Sequence, residues 1–453
     1  MSTSIQNLQD ITSFLARHTD YERQQGGRTR DIFDLERMNE VLNRLARPEL
    51  AYHTAHIAGT KGKGSTARFL ASALQSQGLK VGLFTSPHLE RLTQRIEING
   101  SEISEKALVQ AFREVVEALE REHGGAPDVT FFELLTLAAM VAFAQAEIDV
   151  AVFEVGLGGR LDSTNVISPL VSVITEIGID HTQQLGSNID EIAREKAGII
   201  KPGIPVVCAA SNPEAQKIVA LTARDNEAPA LYFGRDYSVR DLQRAGRGLQ
   251  FTADVRGYRY EKVQLPHPAR FMAENATHAL CALEIMASEP DFLPDGIIDR
   301  ERAMDAIQRT ELPGRFEIFD GQPMLVIDSA HNEVSIRAAL AVARGVTQGK
   351  VICVTGIARD KDIESCMRHM AEKADGAIFT TYYNPRESSP DDLLRMYEKF
   401  GGKQGSTEEH PEAALEEAIE QAGPDGLVLV TGSVYLAGLL RQAAVEYADG
   451  RQQ

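Results

Sequence analysis

Tryptophan is absent from this chain, and cysteine is scarce: four in 453 residues, at positions 208, 281, 353 and 366. None of the four sits in a Cys-x-x-Cys pair, which argues against a zinc ribbon or a dithiol redox centre and reads as reduced, mostly packing thiols. No apolar run reaches 18 residues and the N-terminal stretch carries no apolar signal region, so the expected setting is the cytoplasm, away from any membrane. Positive charge is in deficit as well. The formal net charge of −18 argues against a general nucleic-acid binder. It also makes local cations such as Lys61, Lys63, Arg160 and Arg315 more informative. Repeats and low-complexity segments are missing too.

What is present is ordinary for a soluble globular enzyme: 43% hydrophobic and 25% charged residues. A chain this long exceeds what one core usually serves, so two domains are expected, at 1–310 and 311–453.

The most informative stretch is His56–Leu70, HIAGTKGKGSTARFL, which reads as a buried strand, a glycine loop and the first turns of a helix. Gly59, Gly62 and Gly64 allow a tight turn and close approach of backbone to a ligand. Their N–H groups, beside the positive end of a helix dipole, form a phosphate site. Lys63 is placed to reach the outer phosphates, and Ser65 or Thr66 to touch them or their metal. The spacing is a variant of the usual P-loop: two residues separate Gly59 from Gly62 where four are usual, and Gly64 stands between the lysine and the serine.

Other polar residues fall at the carboxyl ends of predicted strands, where open α/β sheets bind ligands. Ser86 follows the strand Lys80–Thr85, Glu154 ends the apolar strand Asp149–Val155, and His181 lies past the strand Val171–Glu176. A carboxylate in an apolar strand is costly unless paired or metal-bound, so Glu154 reads as a metal ligand, with a salt bridge to Arg160 as the alternative. Ser86, Glu154 and His181 together would suit one or two Mg²⁺ ions near a triphosphate. Lys196 lies in a helix predicted over Asn188–Lys201 and reads, on pattern alone, as an exposed surface lysine. Residues 231–265 alternate as hairpins do, a helix follows over Phe271–Ala287 with Asn275 near its start, and Leu312–Arg315 marks the boundary to a second strand series. Polar strand ends recur there, at Asp328–Asn332, at Gly356 with Asp360–Asp362, and at Thr431–Ser433. The expected fold is therefore α/β: an N-terminal P-loop-type ATPase domain on a mostly parallel sheet, then a Rossmann-like α/β domain. A cleft between two such domains is the expected place for the chemistry.

Pattern alone leaves phosphoryl transfer and ATP-driven ligation open. The chain also resembles the folylpolyglutamate synthase/dihydrofolate synthase family, cousins of the Mur ligases. The resemblance is carried by FDLERM (33–38), HIAGTKGKGS (56–65), TSPHL (85–89), TFFELLT (130–136), FEVGLGGRLDSTN (153–165), IGIDHTQQLG (177–186), REKAGIIKPG (194–203), LPGRFE (312–317), DSAHN (328–332) and DKD (360–362). It implies an ATP-dependent amide ligase that adds L-glutamate to dihydropteroate, to folate γ-glutamates, or to both. It further implies ATP contacts at Gly59, Thr60, Gly62, Lys63, Gly64, Ser65, Asn275, Arg315, Asp328 and His331. Magnesium, expected as two ions, would be held by Ser86, Glu154, His181 and a carbamylated Lys196, with room for a monovalent cation. Lys63, Lys196, His181 and Glu154 would carry catalysis, and Asp31, Ile32, Phe33, Thr130, Leu161, Asp162 and Ser163 the pterin substrate. The expected partners are small molecules, and the expected state is a monomer.

The chain departs from the family's common pattern in four places: Lys61 replaces a frequent asparagine, Ala269–Met272 a Gly-x-His-Gln run, Ser329 a glycine and Glu333 a proline. A Mur-type ligase acting on another carboxylate is the alternative. A P-loop kinase or nucleotide switch is disfavoured by the second α/β domain and the context of Lys196, and an inactive binding module by the joint presence of Lys63, Glu154, His181 and Lys196.

Overall fold

The computed structural model describes residues 5–20, 35–120, 129–294 and 296–450. The chain divides into two compact units, one of residues 1–266 with 270–310, the other of 267–269 with 311–453.

The first unit is built on a sheet of eight strands among the described residues. They are β1 (His53–Ala58), β2 (Val81–Phe84), β3 (Ile96–Ile98), β4 (Ser101–Glu102), β5 (Val150–Glu154), β6 (Val171–Ile174), β7 (Val206–Cys208) and β8 (Ala230–Tyr232), in the order β4-β3-β2-β5-β1-β6-β7-β8. β2, β5, β1, β6, β7 and β8 run parallel, and β3 and β4 extend the edge as an antiparallel hairpin. The inner strands β2, β5 and β6 are buried at every position. That is why their sequences are mostly apolar, without the regular alternation of a half-exposed strand. The chain lays down β1 and β2, returns to place β5 between them, then crosses to β6 on the far side of β1. This reversal is a topological switch point, and it puts the ends of β1, β5 and β6 side by side, with Ile57 opposite Glu154 and Ala58 opposite Ile174.

The helix Phe131–Gln145 buries twelve of its fifteen residues. It is apolar all round, as an interior helix must be. Its start is a capping box: Thr130 Oγ1 accepts the Glu133 N–H, and the Glu133 carboxylate accepts the Thr130 N–H. Glu133 is buried, and Arg37 supplies the countercharge at 2.5 Å. Of residues 231–265, those from Tyr237 onward form hairpins, as their alternation predicts: β9 (Tyr237–Ala245), β10 (Gly248–Val255) and β11 (Tyr258–Leu265) make a separate antiparallel sheet, while the first two residues belong to β8 of the large sheet.

The second unit is a mixed sheet of β12 (Glu317–Phe319), β13 (Met324–Ile327), β14 (Val351–Thr355), β15 (Gly376–Phe379), β16 (Gln404–Thr407) and β17 (Leu427–Thr431), in the order β12-β13-β17-β14-β15-β16. All neighbours are parallel except the pair β12 and β13. β14, β15 and β17 are wholly buried. β16 is mostly exposed and polar, which is why apolar patterning does not reveal it.

Candidate active site

The phosphate loop leaves β1 at Ala58 and enters the helix Lys63–Ser76, with Gly62 as its N-cap in the left-handed region (φ 86°). No side chain caps that helix, so its first N–H groups are left for an anion. Each loop glycine faces one particular side chain. A Cβ on Gly59 would fall 1.8 Å from Thr175 Oγ1, one on Gly62 2.5 Å from Asn275 Oδ1, and one on Gly64 3.2 Å from Glu154 Oε2. The loop is thus pressed between the ends of β5 and β6 and the helix Arg270–Met286, which brings Asn275 in from far along the chain.

Glu154 ends β5 and is buried. Its Oε2 accepts the Ser86 N–H at 3.1 Å, so Ser86 and Glu154 stand together beside the first helical turn. Arg160, the alternative partner for Glu154 in the sequence, pairs with Glu195 at 2.8 Å.

Lys196 corrects the pattern-based expectation of an exposed lysine. It is 4% exposed, and its Nζ donates to the Gly59 carbonyl at 2.7 Å. Burial, and after it the neighbouring Lys63 ammonium, hold its amine well below the ordinary lysine range, against the opposing pull of Asp180. The helix carrying it is shorter than predicted and stops at Ala197. Gly198 packs directly against Arg160, where a Cβ would fall 2.3 Å from the arginine Cβ, and the Arg160 N–H donates to the Glu195 carbonyl at 2.7 Å. The glycine-rich loop after β5 therefore grips the Lys196 helix through backbone contacts that only glycine permits.

That loop is folded around Asp162. One oxygen accepts the Leu157 N–H at 2.9 Å, and the other accepts the N–H (3.0 Å) and hydroxyl of Thr164. The Thr164 hydroxyl also bonds His56 Nε2 at 2.8 Å, on β1. Burial pushes the Asp162 carboxyl up, opposed by these donors, and holds His56 neutral, down to about 3. Ser163 Oγ bonds Thr136 Oγ1 at 2.8 Å, on the helix that Thr130 caps. A Cβ on Gly156 would meet Phe132 of the same helix at 2.5 Å. Asp162 and Ser163 are thus packed on the helix that Thr130 caps, with Leu161 half-buried next to them in the chain. Asp31, Ile32 and Phe33 lie outside the described residues.

His181 is less directly placed. It is exposed, in the left-handed region (φ 51°), and N-caps the short helix Thr182–Leu185. Its N–H donates to Asp180 Oδ1 at 3.0 Å, and Asp180 Oδ2 pairs with Lys61 at 3.1 Å. In the second unit Asp328 takes the Phe316 N–H at 2.8 Å and the Ala330 N–H at 3.0 Å, tying the turn that carries Arg315 to the DSAHN segment. His331 Nδ1 bonds the Ser329 carbonyl at 2.9 Å.

Sequence reasoning missed three features here. Arg95 is 1% exposed, donates to His88 Nδ1 at 2.8 Å and stacks over Phe131 at 5.3 Å. Asp180 was not singled out as the partner of Lys61. His56, inside the phosphate-loop signature, supports Asp162 through Thr164. A charged residue in a short helical turn just before β3 gives no local sign of burial, and neither does a histidine whose partner is over a hundred residues away.

The Mur ligase middle domain matches residues 57–283, and the Mur ligase glutamate ligase domain matches residues 314–434. The chain is 34% identical to the folylpolyglutamate synthase of Lacticaseibacillus casei, covering 90% of this chain and 94% of that protein. It is equally identical, with the same coverage, to the dihydrofolate synthase/folylpolyglutamate synthase of Bacillus subtilis. Among solved structures it superposes on Mycobacterium tuberculosis folylpolyglutamate synthase complexed with ADP and AMPPCP at a TM-score of 0.86, with 29% identity over 96% of this chain and 98% of that one. It superposes on E. coli FolC in complex with DHPP and ADP at 0.85, with 29% identity over the whole of both chains. With the phosphate loop, the buried carboxylate and the two-unit α/β architecture already in place, these likenesses make the chain a member of the folylpolyglutamate synthase/dihydrofolate synthase family of Mur ligases.

Proposed function

We propose that this chain is an ATP-dependent amide ligase that joins the amine of L-glutamate to a pteroate or folate carboxylate, making dihydrofolate, extending folate γ-glutamates, or both. The observation that carries this is the position of Glu154. A buried carboxylate faces Gly64 in the first turn of a helix whose N-terminus is open to phosphate. A phosphate bound at that N-terminus beside the Glu154 carboxylate would call for a cation between them. Magnesium fits: it is commonly held by one or two carboxylates together with substrate phosphates and water. Among the described residues no three His, Cys, Asp or Glu side chains converge on a point, so the protein offers a sparse set and leaves positions for phosphate oxygens. Glu154 and Ser86 would hold the ion, with His181 as the further ligand that the family resemblance suggests. When bound, the ion would offset the charge that builds on the transferred phosphoryl group.

The substrate carboxylate attacks the γ-phosphorus of ATP, forming an acyl phosphate as the bond to ADP breaks. Lys63 and the loop N–H groups offset negative charge on the phosphoryl oxygens. The glutamate amine then attacks the acyl carbon, phosphate departs with the bonding pair, and the amine gives up its proton. No covalent enzyme intermediate is needed, so the protein's task is positioning and exclusion of water. Lys196 supports a carbamate role: burial favours the neutral amine, the form that bonds CO₂, losing a proton as the C–N bond forms. The carbamate N–H could keep the bond to the Gly59 carbonyl, leaving its anionic oxygens to ligate or position the metal. Thr130, Leu161, Asp162 and Ser163 are the proposed pterin contacts. The nucleotide roles of Arg315, Asp328 and His331 are taken from the family resemblance, and a monomeric state and a cytoplasmic setting complete the reading. Among the described residues no helix is long and apolar enough to cross a membrane.

The test is ADP release from Mg-ATP by the purified protein with L-glutamate, adding dihydropteroate in one tube and tetrahydrofolate in another. Release in both assigns two activities, and release in one assigns one. Release that needs no glutamate would replace the ligase reading with a kinase.

A further inference from the structure

The first half of the phosphate loop is laced to the segment that follows β6. The Thr60 and Lys61 N–H groups both point at the Glu176 carbonyl, at 2.7 and 3.3 Å. Thr60 Oγ1 donates to the Gly178 carbonyl and accepts the Gly178 N–H, each at 3.0 Å. The Lys61 ammonium closes the series on Asp180 Oδ2 at 3.1 Å, with the lysine side chain 33% exposed and the aspartate 11%. The other oxygen of Asp180 accepts the His181 N–H at 3.0 Å. One carboxylate therefore bridges the ammonium of the phosphate loop and the backbone of His181, which sits in a left-handed conformation that offers it few alternative positions.

We propose that Lys61 is a positioning residue, which acts through Asp180 to hold His181 in register with the phosphate loop and so sets the geometry of the magnesium–nucleotide site. Lys63 and Lys61 differ in placement: Lys63 is the first residue of the helix, whereas Lys61 turns back to Asp180. Because Asp180 is mostly shielded from water, its attraction for Lys61 is screened less than that of a surface pair. The effect is still bounded by what partly exposed ion pairs deliver, about two- to fivefold in an equilibrium constant. This inference rests on the ligase reading only in taking Mg-nucleotide as the ligand.

The experiment measures ADP affinity by calorimetry across a magnesium series for the wild type, Lys61→Met, Lys61→Arg, Asp180→Asn and the Lys61→Met/Asp180→Asn pair, with thermal melts alongside. Lys61→Met and Asp180→Asn should each raise the magnesium concentration at half effect about two- to fivefold. The double variant should be no worse than either single one, and Lys61→Arg should stay near the wild type. An unchanged magnesium dependence in Lys61→Met overturns the proposal. So does a pattern in which Lys61→Met weakens ADP at every magnesium concentration while Asp180→Asn strengthens it, since Lys61 would then contact phosphate directly. If Lys61→Met proves unstable, Asp180→Asn carries the decision: an unchanged magnesium dependence in that variant overturns the proposal. Because binding is the readout, a protein that shows the magnesium shift but releases no ADP with glutamate would sink the ligase reading and leave this inference standing.

Discussion

Asn275 Oδ1 occupies the space where a side chain on Gly62 would begin: a Cβ there would lie 2.5 Å away. This contact joins the helix Arg270–Met286 to the N-cap of the phosphate-binding helix, across more than two hundred residues of sequence. Gly62 is glycine for two separate reasons, its φ of 86° and this approach. A non-glycine residue in the left-handed region costs about 1–2 kcal/mol before any collision. Gly62→Ala should therefore lower kcat/KM for ATP at least about tenfold. Adding Asn275→Ala relieves the collision and leaves the backbone strain, so the double variant should recover only part of its melting temperature in a thermal scan.

Glu154→Gln keeps the size of the side chain and an oxygen able to accept the Ser86 N–H, while removing the charge that faces Gly64. The fold should persist, and turnover at ordinary magnesium should fall by about two orders of magnitude, a typical loss when an electrostatic group is removed from an active site. Steady-state rates over a magnesium series check this, and ordinary turnover would take Glu154 out of the site.

Lys196→Ala should lose most turnover and keep its fold. Lys196→Met tests its electrostatics through stability. The folded-state pKa of Lys196 is depressed by burial and by Lys63, so between that value and the unfolded pKa the unfolded chain binds more protons and stability rises with pH. Below the depressed value the lysine is charged in both states and the burial penalty is felt in full. Lys196→Met should accordingly gain most over the wild type in acid, with the gain shrinking as pH approaches about 10.4, the ordinary lysine value. Urea unfolding at several pH values measures the gap.

Three histidines are buried neutral by desolvation: His56 and His278 at about 3 and His267 at about 4. Their folded values lie below the unfolded one, so the unfolded state takes up protons first as pH falls from about 6.5. Each should cost on the order of 1.4 kcal/mol of stability per pH unit between about 6 and its folded value. Acid unfolding should therefore begin while these three are still neutral in the fold, with proton uptake that calorimetry in buffers of different ionisation enthalpy can count. His56→Gln should make that dependence shallower, and an unchanged pH slope in this variant would contradict the burial of His56.

The buried strands, the long interior helix and the phosphate loop were legible in the residue order because each depends on neighbours within a dozen positions. The edge hairpin of β3 and β4, the helix Glu105–Glu120 and β16 were not read, since short or half-polar elements owe their existence to what they pack against. At the site, Ser86 and Glu154 could be proposed from their places at strand ends. The burial of Lys196 could not, because it sits in an ordinary-looking helix and is covered by a loop some thirty-five residues earlier.

By itself, then, the sequence determined the α/β class, the phosphate loop with its unusual spacing, the likeness to the ligase family and the short set of residues able to carry the chemistry. These follow from local rules: glycine spacing, apolar runs and the polar residue that ends a buried strand. Only the tertiary structure decided that Asn275 closes on Gly62, that Lys61 is tied to Asp180, that His56 supports Asp162 through Thr164, and that Lys196 is a buried amine and no surface charge. Such pairings arise from which elements the sheet order places side by side, and residues separated by one or two hundred positions carry no local mark of the partner that folding brings to them.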